Sequence, residues 1–150
     1  MEPRYYLAYG SNLNLIQMKD RCKDSKRVGT AVIKDYRLMF KGRGLNNYLT
    51  IEKARGYFVP VGVFIIVEDD ERRLDIFEGH PDFYYKKDFV VELRDDKGNV
   101  TSINAFAYIM REDRRLGLPT EKYEQTVREG YKDFGFDEKI LDEAIKYSDR

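Results

Sequence analysis

Residues 57–67 form the most apolar run of the chain, with Val61, Val63, Phe64, Ile65, Ile66 and Val67 close together. β-Branched side chains lose rotamer freedom in a helix and pack well on a pleated surface, so the run predicts a strand buried on both faces. A strand of that kind belongs in a curled or closed sheet with cover on each side. Pro60 has no amide proton to give a ladder and is expected at the beginning of the strand or at a bulge.

The neighbouring segments supply the rest of the sheet. Residues 29–33 and 36–40 are β-rich, the second with Tyr36, Leu38 and Phe40 alternating, and the polar pair Lys34-Asp35 predicts that they are two short adjacent strands. Gly42-Arg43-Gly44 with Asn46-Asn47 is loop chemistry, too short and isolated for a nucleotide fingerprint, and residues 48–51 read as a brief strand. Residues 83–93 and 100–110 flank Arg94-Asp95-Asp96-Lys97-Gly98-Asn99, which predicts a long hairpin in which the two aspartates serve the turn and not a metal.

Helix signals surround these strands. Residues 15–22 place Leu15, Ile16, Met18 and Cys22 on the apolar side of a short helix. Asp69 or Asp70 is expected to cap a helix that carries Glu78 in its last turn and is stopped by Gly79 and Pro81. Thr120 caps a third helix bearing Tyr123, Val127, Tyr131 and Phe134 and ending at Gly135, and Asp137 caps a fourth with Ile140, Leu141, Ala144 and Ile145. Strands first and helices last indicate an α+β chain. With 150 residues, no internal repeat and no dividing linker, a single domain over residues 1–150 is expected.

Composition narrows the function classes. Lys plus Arg equals Asp plus Glu at 27 each, so no bulk field draws nucleic acid or an anionic membrane. One cysteine, Cys22, excludes an internal disulfide, and with a single histidine, His80, no thiolate or imidazole metal cage can be assembled. No window approaches the length of a bilayer-spanning segment, so a soluble, cytoplasmic protein is expected. Cys22 lies on the apolar side of its helix with no histidine nearby in sequence, and His80 directly before Pro81 reads as a turn residue.

Two stretches carry chemistry. Tyr5-Tyr6-Leu7-Ala8-Tyr9 favours a buried strand, Gly10 permits a sharp turn and close backbone approach, and Asn14 can cap the following helix with Gln17 three positions on. Backbone N–H groups from Gly10 to Leu13 would then stand outside any ladder, an array suited to a carboxylate or a developing oxyanion, although Gly10-Ser11-Asn12 equally reads as an ordinary turn. The other stretch is Glu78, a carboxylate at the negative end of a helix and beside Phe77. Fully solvated, Glu78 is an ordinary helix-end glutamate; in a partly apolar setting its carboxyl pKa rises and it becomes a useful general base near neutral pH.

Tyr6-Leu7-Ala8-Tyr9-Gly10-Ser11-Asn12-Leu13, with Leu74-Asp75-Ile76-Phe77-Glu78-Gly79 and Tyr84-Tyr85 after it, resembles the gamma-glutamylcyclotransferase family. Asn47-Tyr48-Leu49-Thr50-Ile51, Pro60-Val61-Gly62-Val63, and Tyr123 with Gly130 fall in that family's order, so the resemblance covers nearly the whole chain. It implies a small, mostly antiparallel β-barrel with flanking helices, often a homodimer. It also implies an enzyme that converts a small gamma-glutamyl amino acid or amine to 5-oxoproline and the free amino acid or amine. Residue by residue, it implies Glu78 as catalytic acid/base. Tyr6, Leu7, Ala8, Tyr9, Gly10, Ser11, Asn12 and Tyr123 become substrate-binding, and Tyr85 and Tyr108 become pocket tyrosines. The chain departs from better-known members at Phe77-Glu78-Gly79-His80-Pro81 and by having no tryptophan.

The implied chemistry needs no cofactor and no metal. The substrate's own amine attacks its γ-carbonyl, so the protein folds the substrate, takes a proton and steadies the oxyanion. Whether the loop N–H groups hold the α-carboxylate or the oxyanion stays open, as does the leaving group, whose half of the pocket is assigned to loops 41–47 and 111–119. The competing reading is a non-catalytic module that binds a gamma-glutamyl or other carboxylate-bearing ligand.

Overall fold

The computed structural model describes residues 3–150. Its strands are β1 (Arg4–Ala8), β2 (Lys26–Gly42), β3 (Asn47–Ile66), β4 (Tyr84–Arg94), β5 (Val100–Met110) and β6 (Arg115–Leu116). The helices are α1 (Leu15–Arg21), α2 (Glu68–Phe77), α3 (Glu121–Phe134) and α4 (Lys139–Ser148). Among the described residues five strands run β3-β1-β5-β4-β2 and close through a β2–β3 pairing, with β6 appended to β2. All pairings are antiparallel except β1 with β5, so the α+β class and the mostly antiparallel barrel with flanking helices hold, and the barrel is mixed.

The apolar run sits where its chemistry places it. Val59, Val61 and Val63 are fully buried, and β3 lies between β1 and β2. The expected boundary at Pro60 is wrong, because Pro60 lies inside β3 opposite Val32. It is tolerated there because β1 stops pairing at Gly62, which leaves one side of Pro60 without a strand neighbour.

Two other boundaries are corrected. Residues 29–33 and 36–40 belong to one strand, β2, and residues 48–51 and 57–66 belong to β3. Asp35 adopts φ 61° at a bulge between Lys34 and Tyr36, and its carboxylate accepts the Gly56 N–H at 3.0 Å. A bulge bends and twists a strand without ending it, which lets a long hairpin wrap a small barrel. The β4–β5 hairpin is as expected, and Asp95 accepts the N–H groups of Lys97 and Asn99 within its turn.

Helix capping follows the sequence in part. Asn14 accepts the Gln17 N–H at 3.1 Å and Thr120 accepts that of Tyr123 at 3.2 Å. Gly79 and Gly135, at φ 64° and 71°, stop α2 and α3. Asp69 and Asp70 do not cap α2: the cap position is Val67, and the aspartates occupy the first turn, where their charge still favours the positive end of the helix. At α4 the cap position is Glu138 and not Asp137, which lies one residue earlier and accepts the Lys139 N–H. In α1 the buried pair is Met18 and Cys22, whereas Ile16 is 84% exposed, since two residues on from Ile16 a helix has turned to its far side.

α3 is seated directly on the turn after β1. A Cβ at Gly130 would lie 2.6 Å from the Asn14 nitrogen and 2.7 Å from the Leu13 carbonyl carbon, so only a residue without a side chain permits this approach. The Asn14 side-chain amide also donates to the Thr126 carbonyl at 3.1 Å, which ties α1 and α3 to one residue. Val127 and Tyr131 are fully buried, so most of the α3 stripe is core and only its first tyrosine is left for the site.

Candidate active site

A cavity of about 490 Å³ opens between the β1–α1 turn, the end of α2 and the first turns of α3. Tyr6, Leu7, Tyr9, Gly10, Ser11 and Asn12 line one side. Glu78 and Gly79 line another, with Tyr123 from α3 between them. Two segments nearly seventy positions apart in sequence thus face one hollow. Ala8 is buried but does not line it.

The β1–α1 turn is a single 3-10 turn, Ser11–Leu13. Leu13 donates to the Gly10 carbonyl and Asn14 to that of Ser11, both at 3.0 Å. The N–H groups of Gly10, Ser11 and Asn12 have no acceptor among the described residues, so three donors stand free on residues that line the cavity. A Cβ at Gly10 would meet the Tyr123 hydroxyl at 3.2 Å, so the glycine lets that hydroxyl stand close against the turn.

Glu78 follows α2 directly, and no side chain among the described residues hydrogen-bonds its carboxylate. The residue is half-buried and lines the cavity. Burial pushes its pKa up to about 7, opposed by the cation of Arg21. A carboxyl poised there can exchange protons in both directions at neutral pH. If Glu78 must be ionised to act, kcat/KM for the protein's substrate rises with pH through a limb near 7 and flattens above it. An acid limb at the ordinary glutamate value of 4.5 would contradict the buried setting.

The tyrosine hydroxyls divide into two groups. Tyr9 donates to the Tyr108 carbonyl, Tyr84 to the Leu49 carbonyl at 2.8 Å, and Tyr108 to Asp75 at 2.6 Å, so these protons are spent on the fold. Tyr123 instead accepts the Leu49 N–H at 3.1 Å, and Tyr6 accepts from the Asn12 side chain at 2.9 Å. Burial raises both phenols, with the Glu78 charge adding to it, so both stay protonated with a proton left to give.

Several lining residues were not foreseen. Arg21 ends α1, donates to Ser11 Oγ at 3.1 Å and to Asn12 Oδ1, and lies 3.5 Å over the Phe77 ring. The polar pair Gln17 and Arg21, four apart on a helix whose other side is buried, was the available signal. Tyr84 lines the cavity whereas Tyr85 turns outward to Glu112, since neighbours on a strand face opposite ways. Loops 41–47 and 111–119 contribute nothing to the lining: Tyr48, Phe83, Lys122 and Thr126 stand where they were expected. His80 packs its ring edge on Tyr108 in the turn after α2. Cys22 is buried with its thiol pushed up to about 12 by burial, which removes it as a nucleophile.

Among the described residues no three His, Cys, Asp or Glu side chains gather as a metal site would need, and no helix is long and apolar enough to cross a membrane.

The chain is thus a small α+β protein built on a closed mixed barrel, with a half-buried glutamate and a glycine turn lining one cavity. Residues 6–130 match the model of the family described as gamma-glutamyl cyclotransferase, AIG2-like, and the chain belongs to that family. Among solved structures it is similar to an uncharacterized human protein, loc79017, at 22% identity and TM-score 0.81, covering 96% of this chain and 87% of that one. A structure named gamma-glutamyl cyclotransferase gives 21% identity and TM-score 0.79 over 95% and 86%. A yeast gamma-glutamyl cyclotransferase described as specific to glutathione gives 10% and 0.64 over 100% and 98%. At these identities the likeness establishes the fold. No curated protein matches the sequence.

Proposed function

We propose that the protein is a gamma-glutamylcyclotransferase-type enzyme, releasing 5-oxoproline and an amino acid or amine from a small gamma-glutamyl compound. The observation that carries this is the unpartnered, half-buried Glu78 carboxylate across one cavity from the free N–H groups of Gly10, Ser11 and Asn12. Ionised Glu78 takes a proton from the substrate's α-ammonium. The freed amine nitrogen then bonds to the γ-carbonyl carbon, and the resulting oxyanion is met by N–H or phenol donors. As the bond from that carbon to the leaving nitrogen breaks, protonated Glu78 returns the proton to it. Glu78, ionised again, takes the second proton from the ring nitrogen, which leaves neutral 5-oxoproline, and that proton ends on the released amine as its ammonium, so one carboxyl serves every transfer and atoms and charge balance without a cofactor.

The charges around the cavity favour one kind of leaving group. Glu78 is the only acid among the lining residues, and Arg21 and Lys122 are the cations. A leaving amino acid brings a carboxylate that Lys122 can attract, whereas a polyamine brings charge the site repels. Lys122 is exposed, so its pull is worth the fraction of a kcal/mol typical of a surface pair. Lys122→Met is expected to raise KM for gamma-glutamyl amino acids about two- to fivefold and to leave a gamma-glutamyl alkylamine unchanged. Equal effects on both would contradict the assignment.

The test of the function itself is incubation with a panel of gamma-glutamyl amino acids and amines, with 5-oxoproline followed by mass spectrometry. Product from the parent establishes the cyclase. Ligand-induced thermal stabilisation with no product from any of them would instead identify a binding module.

A further inference from the structure

Arg21 is a cation in the cavity wall with no carboxylate within ion-pair distance among the described residues. Its guanidinium is stacked on Phe77 and bonded to Ser11 Oγ and Asn12 Oδ1, both on the turn whose N–H groups face the cavity. Burial lowers its pKa from the ordinary guanidinium range, and a guanidinium in a protein is charged at neutral pH.

These bonds have a forced direction. A guanidinium can only donate, so the Asn12 oxygen must face Arg21 and the Asn12 amide nitrogen must face away from it. That nitrogen lies 2.9 Å from the Tyr6 oxygen, and it too can only donate. The Tyr6 oxygen therefore accepts, and its proton is turned away from Asn12. Tyr6 donates to no group among the described residues, it lines the cavity, and Glu78 acts on it electrostatically from the opposite wall. Without Arg21 the Asn12 amide is free to rotate by half a turn and present its oxygen to Tyr6. The phenol proton would then be consumed inside the wall.

We propose that Arg21 is a positioning residue of the reaction: through Asn12 it sets the polarity of a hydrogen-bond chain that ends in the Tyr6 O–H, aimed into the cavity as a donor to an oxygen of the glutamyl group. The proposal rests on the cyclotransferase reading for what the donated proton does, and on the geometry alone for its direction. It separates Tyr6 from Tyr9, Tyr84 and Tyr108, whose protons go to the fold. It also gives a reason for a half-buried arginine in the same cavity wall as a glutamate that must stay partly protonated.

The test is a double-variant cycle on Arg21→Met and Tyr6→Phe, with Arg21→Lys as the conservative variant, read by kcat/KM for the best gamma-glutamyl substrate and by 5-oxoproline Kd. Arg21→Met is expected to lower kcat/KM about 10- to 100-fold and weaken 5-oxoproline binding in the same sense. Lysine, also a pure donor, should restore most of the loss. In the Tyr6→Phe background, where there is no phenol proton to aim, Arg21→Met should cost no more than about threefold. Losses that multiply in the double variant, or a lysine variant no better than methionine, would overturn the proposal. A parent that turns over no gamma-glutamyl compound would sink the cyclotransferase reading, while the cycle on 5-oxoproline affinity still decides the coupling. Absence of 5-oxoproline binding by the parent would overturn both.

Discussion

Glu78→Gln is expected to abolish 5-oxoproline formation, with kcat lower by about 10²- to 10⁴-fold, while the fold and product binding persist. Glutamine keeps the shape of the side chain and loses only its capacity to take and return a proton. Retention of turnover within about tenfold of the parent would reject Glu78 as the acid/base, because general acid–base catalysis is worth more than that.

The same substitution should change stability in the opposite direction. Glu78 holds its proton up to about 7 in the folded chain, against an ordinary value of 4.5. Across that window the folded state binds more protons than the unfolded one, so this group makes stability fall as pH rises, and the loss is complete above the folded pKa. At about 1.4 kcal/mol per unit the penalty at pH 8 is roughly 3 kcal/mol, an upper figure because the carboxylate keeps contact with the cavity. The Glu78→Gln protein lacks this dependence. Denaturant melts at pH 4.5 and pH 8 should show it gaining on the parent at the higher pH. A constant difference between the two proteins would mean that Glu78 ionises freely.

Gly130→Ala carries the second large effect. The added methyl would meet Asn14 and Leu13 backbone at 2.6–2.7 Å, and backbone atoms cannot swing aside as a side-chain tip can. Either α3 lifts or the turn after β1 shifts. Overpacking of this kind destabilises by about 1–3 kcal/mol, several degrees of Tm for a chain this size. Activity should fall further than stability accounts for. Tyr123 rides on the same helix, and its hydroxyl already stands against Gly10, so a displacement approaching about 1 Å misplaces a donor by an amount worth roughly 10²-fold. Gly44→Ala is the control, since a Cβ there meets nothing within 4 Å. A Gly130→Ala protein that melts and turns over like the Gly44→Ala protein would show that α3 is not seated on the turn.

What could be read from the sequence was what local chemistry determines. The Asn14 and Thr120 caps, the glycine stops of α2 and α3 and the β4–β5 hairpin depend on residues a few positions apart, and all were legible. The long β2 and β3 strands were not. Lys34-Asp35 has the composition of a loop, and what keeps the chain extended through it is a bond from Asp35 to Gly56, twenty-one positions away on the facing strand. Pro60 was misplaced for a similar reason: its tolerance depends on where β1 ends.

The site divides the same way. Glu78 and the Gly10 turn announce themselves through their own neighbours, a carboxylate at a helix end and a strand running into a glycine. Arg21 becomes informative only once Asn12 and Tyr6 are seen to share a line of hydrogen bonds with it. Tyr84 could not be separated from Tyr85 without knowing which face of β4 looks inward.

The central claim is spatial: one carboxyl confronts three free backbone donors across a gap that fits a glutamyl group. The most direct measurement is a crystal structure with 5-oxoproline bound. The account predicts the lactam in the cavity between the two walls, one edge within hydrogen-bonding distance of the Glu78 carboxyl and an oxygen on the N–H groups of Gly10, Ser11 or Asn12. A product molecule seated elsewhere, or Glu78 turned away from it to solvent, would contradict it.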